Sequence, residues 1–78
     1  MLESQIQAKI IKRYQSEGWI VVKLIKTNTN GIPDLMCLKN GEIIFIEVKR
    51  PNGKLSELQK HRIKQLENEQ FKVLVLYE

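Results

Sequence analysis

Residues 33–50 read PDLMCLKNGEIIFIEVKR, and the reading of this stretch decides the fold. Two β-rich runs, 34–39 and 42–50, flank Asn40-Gly41. Asn-Gly readily supplies the two successive positive-φ residues of a type I′ turn, so the stretch predicts a hairpin with a two-residue loop. Register follows from that loop. Lys39 faces Glu42, Leu38 faces Ile43, Met36 faces Phe45 and Asp34 faces Glu47. Side chains alternate along a strand, so Asp34 and Glu47 project from one face of adjacent strands. Residues paired in this way have Cβ atoms about 4.5–5.5 Å apart. Pro33 lacks a donor N–H and suits the first position of its strand. Cys37 alternates to the opposite face and reads as a small core residue.

Two opposed carboxylates repel, and Ile43 and Phe45 on the face of Glu47 reduce their solvation. Such a pair needs compensation, which a divalent cation supplies. Mg²⁺ binds through one or two carboxylates, with water and substrate phosphate completing its shell. Lys49, two residues beyond Glu47, shares its face. An ammonium there orients a water or stabilises charge developing on a phosphate. The bland reading of Glu-x-Lys is a salt-bridge cluster at a strand end, and for an isolated pair it is the better one. Registry with Pro33-Asp34 tips the balance toward a site.

Working outward, Leu2, Ile6, Ile10 and Tyr14 recur every four residues with Ile11 alongside, which predicts a helix over 2–17 ended by Gly18. Glu3 falls inside this apolar arc. It either favours the helix dipole from the first turn or points across the core edge toward the acidic pair. Residues 19–25 (WIVVKLI) read as a strand with Trp19 as a core anchor, and 26–31 as a loop. Beyond the turn at 51–53, Ser56-Glu57-Leu58-Gln59 has capping-box form and opens a helix to about 69. Leu58, Arg62 and Leu66 lie along one face, with Ile63 beside them. Gln59 is explained by capping alone, or it reaches the site. His61 reads as a phosphate contact or a solvent-exposed residue ahead of a metal ligand. Residues 71–77 (FKVLVLY) form a last strand. The order is α-β-β-β-α-β, an α/β fold with a central mixed sheet flanked by helices.

A chain of 78 residues allows one domain, here 1–78, with a limited core for which a homodimer is a common remedy. Thirteen Lys and Arg against 9 Asp and Glu give a charge of +4. From Lys49 to Lys64 the excess is concentrated: Lys49, Arg50, Lys54, Lys60, Arg62 and Lys64 face Glu57 alone. That run suits a polyanionic partner or a solvated helix face. One cysteine excludes a disulfide framework and a cysteine-rich zinc site. No apolar run approaches the roughly 20 residues of a membrane span. Met1-Leu2-Glu3-Ser4-Gln5 does not resemble a signal peptide, so a cytoplasmic location is expected.

Gly31-Ile32-Pro33-Asp34 followed by Ile46-Glu47-Val48-Lys49 resembles the PD-(D/E)XK nuclease superfamily, and within it the stand-alone VRR-NUC type of phages and bacteria. The upstream helix with Glu3 and the downstream Ser56-x-x-Gln59 also match. The resemblance implies a restriction-endonuclease-like fold in which Asp34 and Glu47 ligate Mg²⁺ or Mn²⁺ and the Val48 carbonyl completes the shell. It implies that Lys49 assists the attacking water, that Glu3 supports the metal or its water, and that Gln59 lines the site. The implied activity is hydrolysis of DNA phosphodiesters by a structure-selective endonuclease, including four-way (Holliday) junction resolvases working as homodimers, with no organic cofactor. Lys26, Asn28 and Asn30 of the loop, with Arg50, Lys54, Lys60 and Arg62, are the expected phosphate contacts. A flap, fork or duplex nuclease is the alternative in the same class. A non-catalytic nucleic-acid-binding module is the alternative outside it, but pure binding has no use for two carboxylates facing a polyanion.

Overall fold

The structure is a computed structural model that describes residues 2–78. Its elements are α1 (Glu3–Ser16), β1 (Ile20–Lys23), β2 (Leu35–Lys39), β3 (Glu42–Lys49), α2 (Glu57–Asn68) and β4 (Lys72–Tyr77). This is the α-β-β-β-α-β order expected from the sequence. The strands lie in the order β1-β2-β3-β4. The first two pairings are antiparallel and β3 pairs with β4 in parallel, with α2 in the connection between them.

The hairpin has the register its turn dictates. Lys39 pairs with Glu42, Leu38 with Ile43 and Met36 with Phe45. Asn40 and Gly41 have φ of 50° and 78°, the two left-handed residues of a type I′ turn. Backbone pairing stops at Leu35 opposite Ile46, so β2 begins one residue after Asp34. Proline cannot donate to a ladder, and the buried Pro33 ends it there. β1 is shorter than the expected 19–25. The Leu24 N–H still reaches the Asp34 carbonyl at 2.8 Å, but the Ile25 N–H turns back to Lys23 O and the Ile25 side chain is 82% exposed. The chain leaves the sheet there, with Ile25 turned to the surface.

One sheet face carries the core. Leu35, Cys37, Ile44, Ile46 and Val48 pack against Ile6 and Ile10 of α1, with Tyr14, Trp19, Val21, Leu74 and Leu76 around them. Fully burying an Ile- or Leu-sized side chain stabilises by about 1.5–3 kcal/mol, so this small cluster dominates the fold energy. Trp19 anchors its edge, meeting Tyr14 edge-on at 6.2 Å with Lys39 Nζ 5.7 Å from its ring centre.

The other face is divided. Over β4 it meets α2, which reaches β3 through Gln59 and Glu47, and Phe45 packs edge-on against Phe71 at 5.8 Å. Over β1 and β2 two cross-strand rows, Ile20–Leu38–Ile43 and Val22–Met36–Phe45, run toward the sheet edge. Ile20 and Val22 are exposed. Among the described residues no helix is long and apolar enough to cross a membrane.

Candidate active site

The alternation that sends Ile44, Ile46 and Val48 to α1 sends Glu47 to the opposite face. Because β3 is flanked by strands on both sides, Glu47 is only 2% exposed. Asp34 stands where β2 frays. Its Oδ2 accepts the Val48 N–H at 2.9 Å, taking up a donor left unpaired by the end of the backbone ladder. Its own carbonyl is held by Leu24. Asp34 is therefore fixed from both sides next to Glu47.

Burial first, and then the charge of Asp34, push the Glu47 carboxyl from 4.5 up to about 8. Lys49 opposes the shift, whereas hydrogen bonding with Asp34 and the charge of Glu3 add to it. Lys49 Nζ lies 3.7 Å from Glu47 Oε2, with its side chain largely buried. The expected trio of Asp34, Glu47 and Lys49 is thus brought together at one end of the hairpin.

Gln59 satisfies both readings of the sequence. Its N–H donates to Ser56 Oγ at 3.1 Å and its Oε1 accepts the Ser56 N–H at 2.9 Å, closing the capping box. With Oε1 held there, Nε2 is left to donate to Glu47 Oε2 at 3.2 Å. The cap orients the amide for the carboxylate.

Glu3 comes from the other face of the sheet. It is half-buried in the first turn of α1 and lines an open cavity of about 310 Å³ with Ser4, Gln7, Lys23, Ile25 and Asp34. Its place in the first turn fits the helix-dipole reading, and its place on the cavity wall with Asp34 fits the other. Sequence reasoning missed Gln7 and Lys23. Both had a signal. Gln7 lies one turn after Glu3, inside the apolar stripe. Lys23 shares the parity of Val21, which faces α1.

The expected phosphate contacts divide. Lys26, Asn28, Arg50, Lys54 and Lys60 are exposed. Lys60 Nζ lies 3.4 Å from Glu57 Oε1 in a solvated pair. Arg62 serves the fold: its Nε donates to the Asn30 carbonyl at 2.7 Å and its Nη1 to Gln65 Oε1 at 2.9 Å, bracing the loop against α2. His61 is exposed on α2.

The donor set fits a divalent cation. Two adjacent carboxylates, one of them buried and raised by that burial and by the charge of the other despite Lys49 beside it, are hard oxygen ligands. Among the described residues no three His, Cys, Asp or Glu side chains cluster closely enough to hold a metal. Asp34 and Glu47 would therefore share the ion with oxygens from backbone, water or phosphate, as Mg²⁺ commonly requires.

A two-helix, four-strand mixed sheet with an acidic pair and a lysine at the frayed end of its hairpin defines an α/β domain of the restriction-endonuclease-like arrangement. The chain belongs to the VRR-NUC family, whose domain matches residues 2–77. A solved VRR_NUC domain superposes with a TM-score of 0.87 at 29% identity, covering 97% of this chain and 84% of its own. "Putative nuclease p44" of Acyrthosiphon pisum secondary endosymbiont phage 1 is 34% identical over 58 residues, 73% of this chain. The match spans 62% of the length of that relative.

Proposed function

We propose that the chain is a metal-dependent endonuclease hydrolysing phosphodiester bonds in DNA. The carrying observation is the meeting of Asp34 with the buried Glu47 beside Lys49. Membership of the VRR-NUC family and similarity to a protein named as a nuclease support the same class.

Asp34 and Glu47 would hold Mg²⁺ or Mn²⁺, with the Val48 carbonyl as a further ligand. Bound there, the cation supplies charge neutralisation at a phosphate and a water of lowered pKa. Gln59 Nε2 keeps Glu47 in the orientation that meets Asp34. Lys49 places a cation beside Glu47, where it stabilises negative charge developing on the phosphate. Glu3 adds a carboxylate from α1 that can accept a hydrogen bond from the water. Lys26, Asn28, Arg50, Lys54 and Lys60, all exposed, hold the nucleic-acid backbone.

The substrate we favour is branched DNA, a four-way junction, cut by a homodimer in the cytoplasm of a bacterial cell under phage or host control. Two observations support a dimer: the core is small, and Ile20 and Val22 are exposed on a sheet face away from α1, in register with Leu38 and Met36. A second copy laid on this face would cover both rows. The free, buried Cys37 is compatible with a reducing compartment.

A panel of end-labelled four-way, flap, forked and linear DNAs with Mg²⁺ tests the substrate. Paired symmetric nicks in the four-way junction are expected. Preferential cutting of flaps or linear duplex would replace the junction reading with the other nuclease reading.

A further inference from the structure

Gln7 has no task in the chemistry above. It lies on α1 beside Ile6 and is itself 9% exposed. Its Oε1 is buried and lacks a hydrogen-bond partner among the described residues. A buried acceptor left unsatisfied weighs against the fold, and native chains keep few without a reason. Glu3 is four residues earlier, and side chains at that spacing share a helix face. Both residues line the cavity that Asp34 bounds from the sheet. The unpartnered amide oxygen therefore belongs to a residue on the wall of a cavity that shares Asp34 with the acidic pair.

The chemistry of the cavity narrows what would satisfy it. An amide oxygen needs a donor. Glu3 and Asp34 are acceptors when ionised, and a substrate phosphate brings acceptors too. Lys23 is an exposed donor at the cavity wall, but it forms no hydrogen bond to Gln7 here. Water bound to a divalent cation presents its hydrogens outward, with the cation drawing electron density from its oxygen.

We propose that Gln7 is a positioning residue of the active site, its Oε1 accepting a hydrogen bond from a water in the shell of the cation held by Asp34 and Glu47. This rests on the metal-dependent nuclease reading. It also explains why a polar side chain interrupts the apolar stripe of α1. Gln7 loses solvation in the cation-free protein and regains a partner when the ion arrives, so it couples cation binding to the stability of the first helix.

The test uses the full chain with Gln7→Met, which keeps length and bulk but removes the acceptor, and Gln7→Glu, which keeps an oxygen there. Melting in EDTA and Mg²⁺ titration by calorimetry are the readouts, and neither depends on cleavage. Gln7→Met is expected to melt at or above the unmodified protein in EDTA, yet to bind Mg²⁺ about 10–100-fold more weakly, the usual effect of losing a partner of the coordination shell. Gln7→Glu is expected to recover cation binding. Undiminished Mg²⁺ affinity in Gln7→Met would overturn the role of Gln7 while leaving the nuclease reading intact. So would a lower melting temperature in EDTA or a failure to fold, since the amide would then serve the fold itself. If the unmodified protein bound neither Mg²⁺ nor Mn²⁺, both readings would fall together.

Discussion

Gln59 donates from Nε2 to Glu47 Oε2 at 3.2 Å while its Oε1 accepts the Ser56 N–H at 2.9 Å. One side chain thus finishes the N-terminus of α2 and orients the buried carboxylate. Gln59→Glu keeps the oxygen that caps but sets a second carboxylate against Glu47. We expect the helix to persist and cleavage to fall by about 10–100-fold, as when a partner of a metal ligand is lost. Ser56→Ala should destabilise by about 1 kcal/mol through the lost cap. Circular dichroism on denaturation and a nicking assay separate the two effects.

Gly31 is held at φ +81°, and a Cβ there would sit 2.7 Å from Leu58 Cγ. Gly31→Ala should therefore cost about 1–3 kcal/mol from backbone strain, with crowding added. The urea midpoint reads this directly. Because Gly31 precedes Pro33-Asp34 so closely, activity should fall further than stability alone explains.

Glu47 gives the cation-free protein a characteristic pH dependence. Its carboxyl is raised from 4.5 to about 8 in the fold. Between those values the folded protein keeps a proton that the unfolded chain releases, so stability falls as pH rises through that window. It should be highest near or below pH 4.5 as far as this group is concerned. Mg²⁺ replaces the proton and should flatten the slope, releasing protons as it binds at pH 7. Urea midpoints at pH 5, 7 and 9, in EDTA and in Mg²⁺, check the sign.

The hairpin was legible because Asn40-Gly41 admits essentially one turn, and that turn dictates which residues pair. Asp34 and Glu47 followed from parity alone. The element order was equally plain, since helical and strand periods alternate cleanly along the chain. Less legible were contacts between layers. Whether Glu3 turned to solvent or to the site depended on how α1 lies across the sheet, which spacing on one helix does not contain. Gln7 was read over because its apolar neighbours Ile6 and Ile10 set the stripe. Arg62 carried the same charge signal as Arg50, and only the path of the loop shows that its guanidinium holds Asn30.

Ile20 is 66% exposed on the face away from the core. Ile20→Lys should leave the monomer fold unchanged and weaken self-association, seen as a lower sedimentation coefficient at equal concentration. Burying lysines against apolar rows would be costly in any dimer formed there. A chain that sediments as a monomer with or without junction DNA would remove the dimer from the proposal.

The most direct measurement is Mg²⁺-dependent nicking of labelled branched DNA by the unmodified chain and by Asp34→Asn. Asparagine keeps an oxygen for the Val48 N–H, so the fold and DNA binding should survive while the negative charge is lost. We expect nicking with Mg²⁺ or Mn²⁺, none in EDTA, and a loss of about a hundredfold or more in Asp34→Asn, comparable to removing a group that stabilises the transition state. Equal cutting by the substituted chain, or tight DNA binding with no cleavage under any divalent ion, would contradict the assignment of Asp34 and Glu47 as a shared cation site.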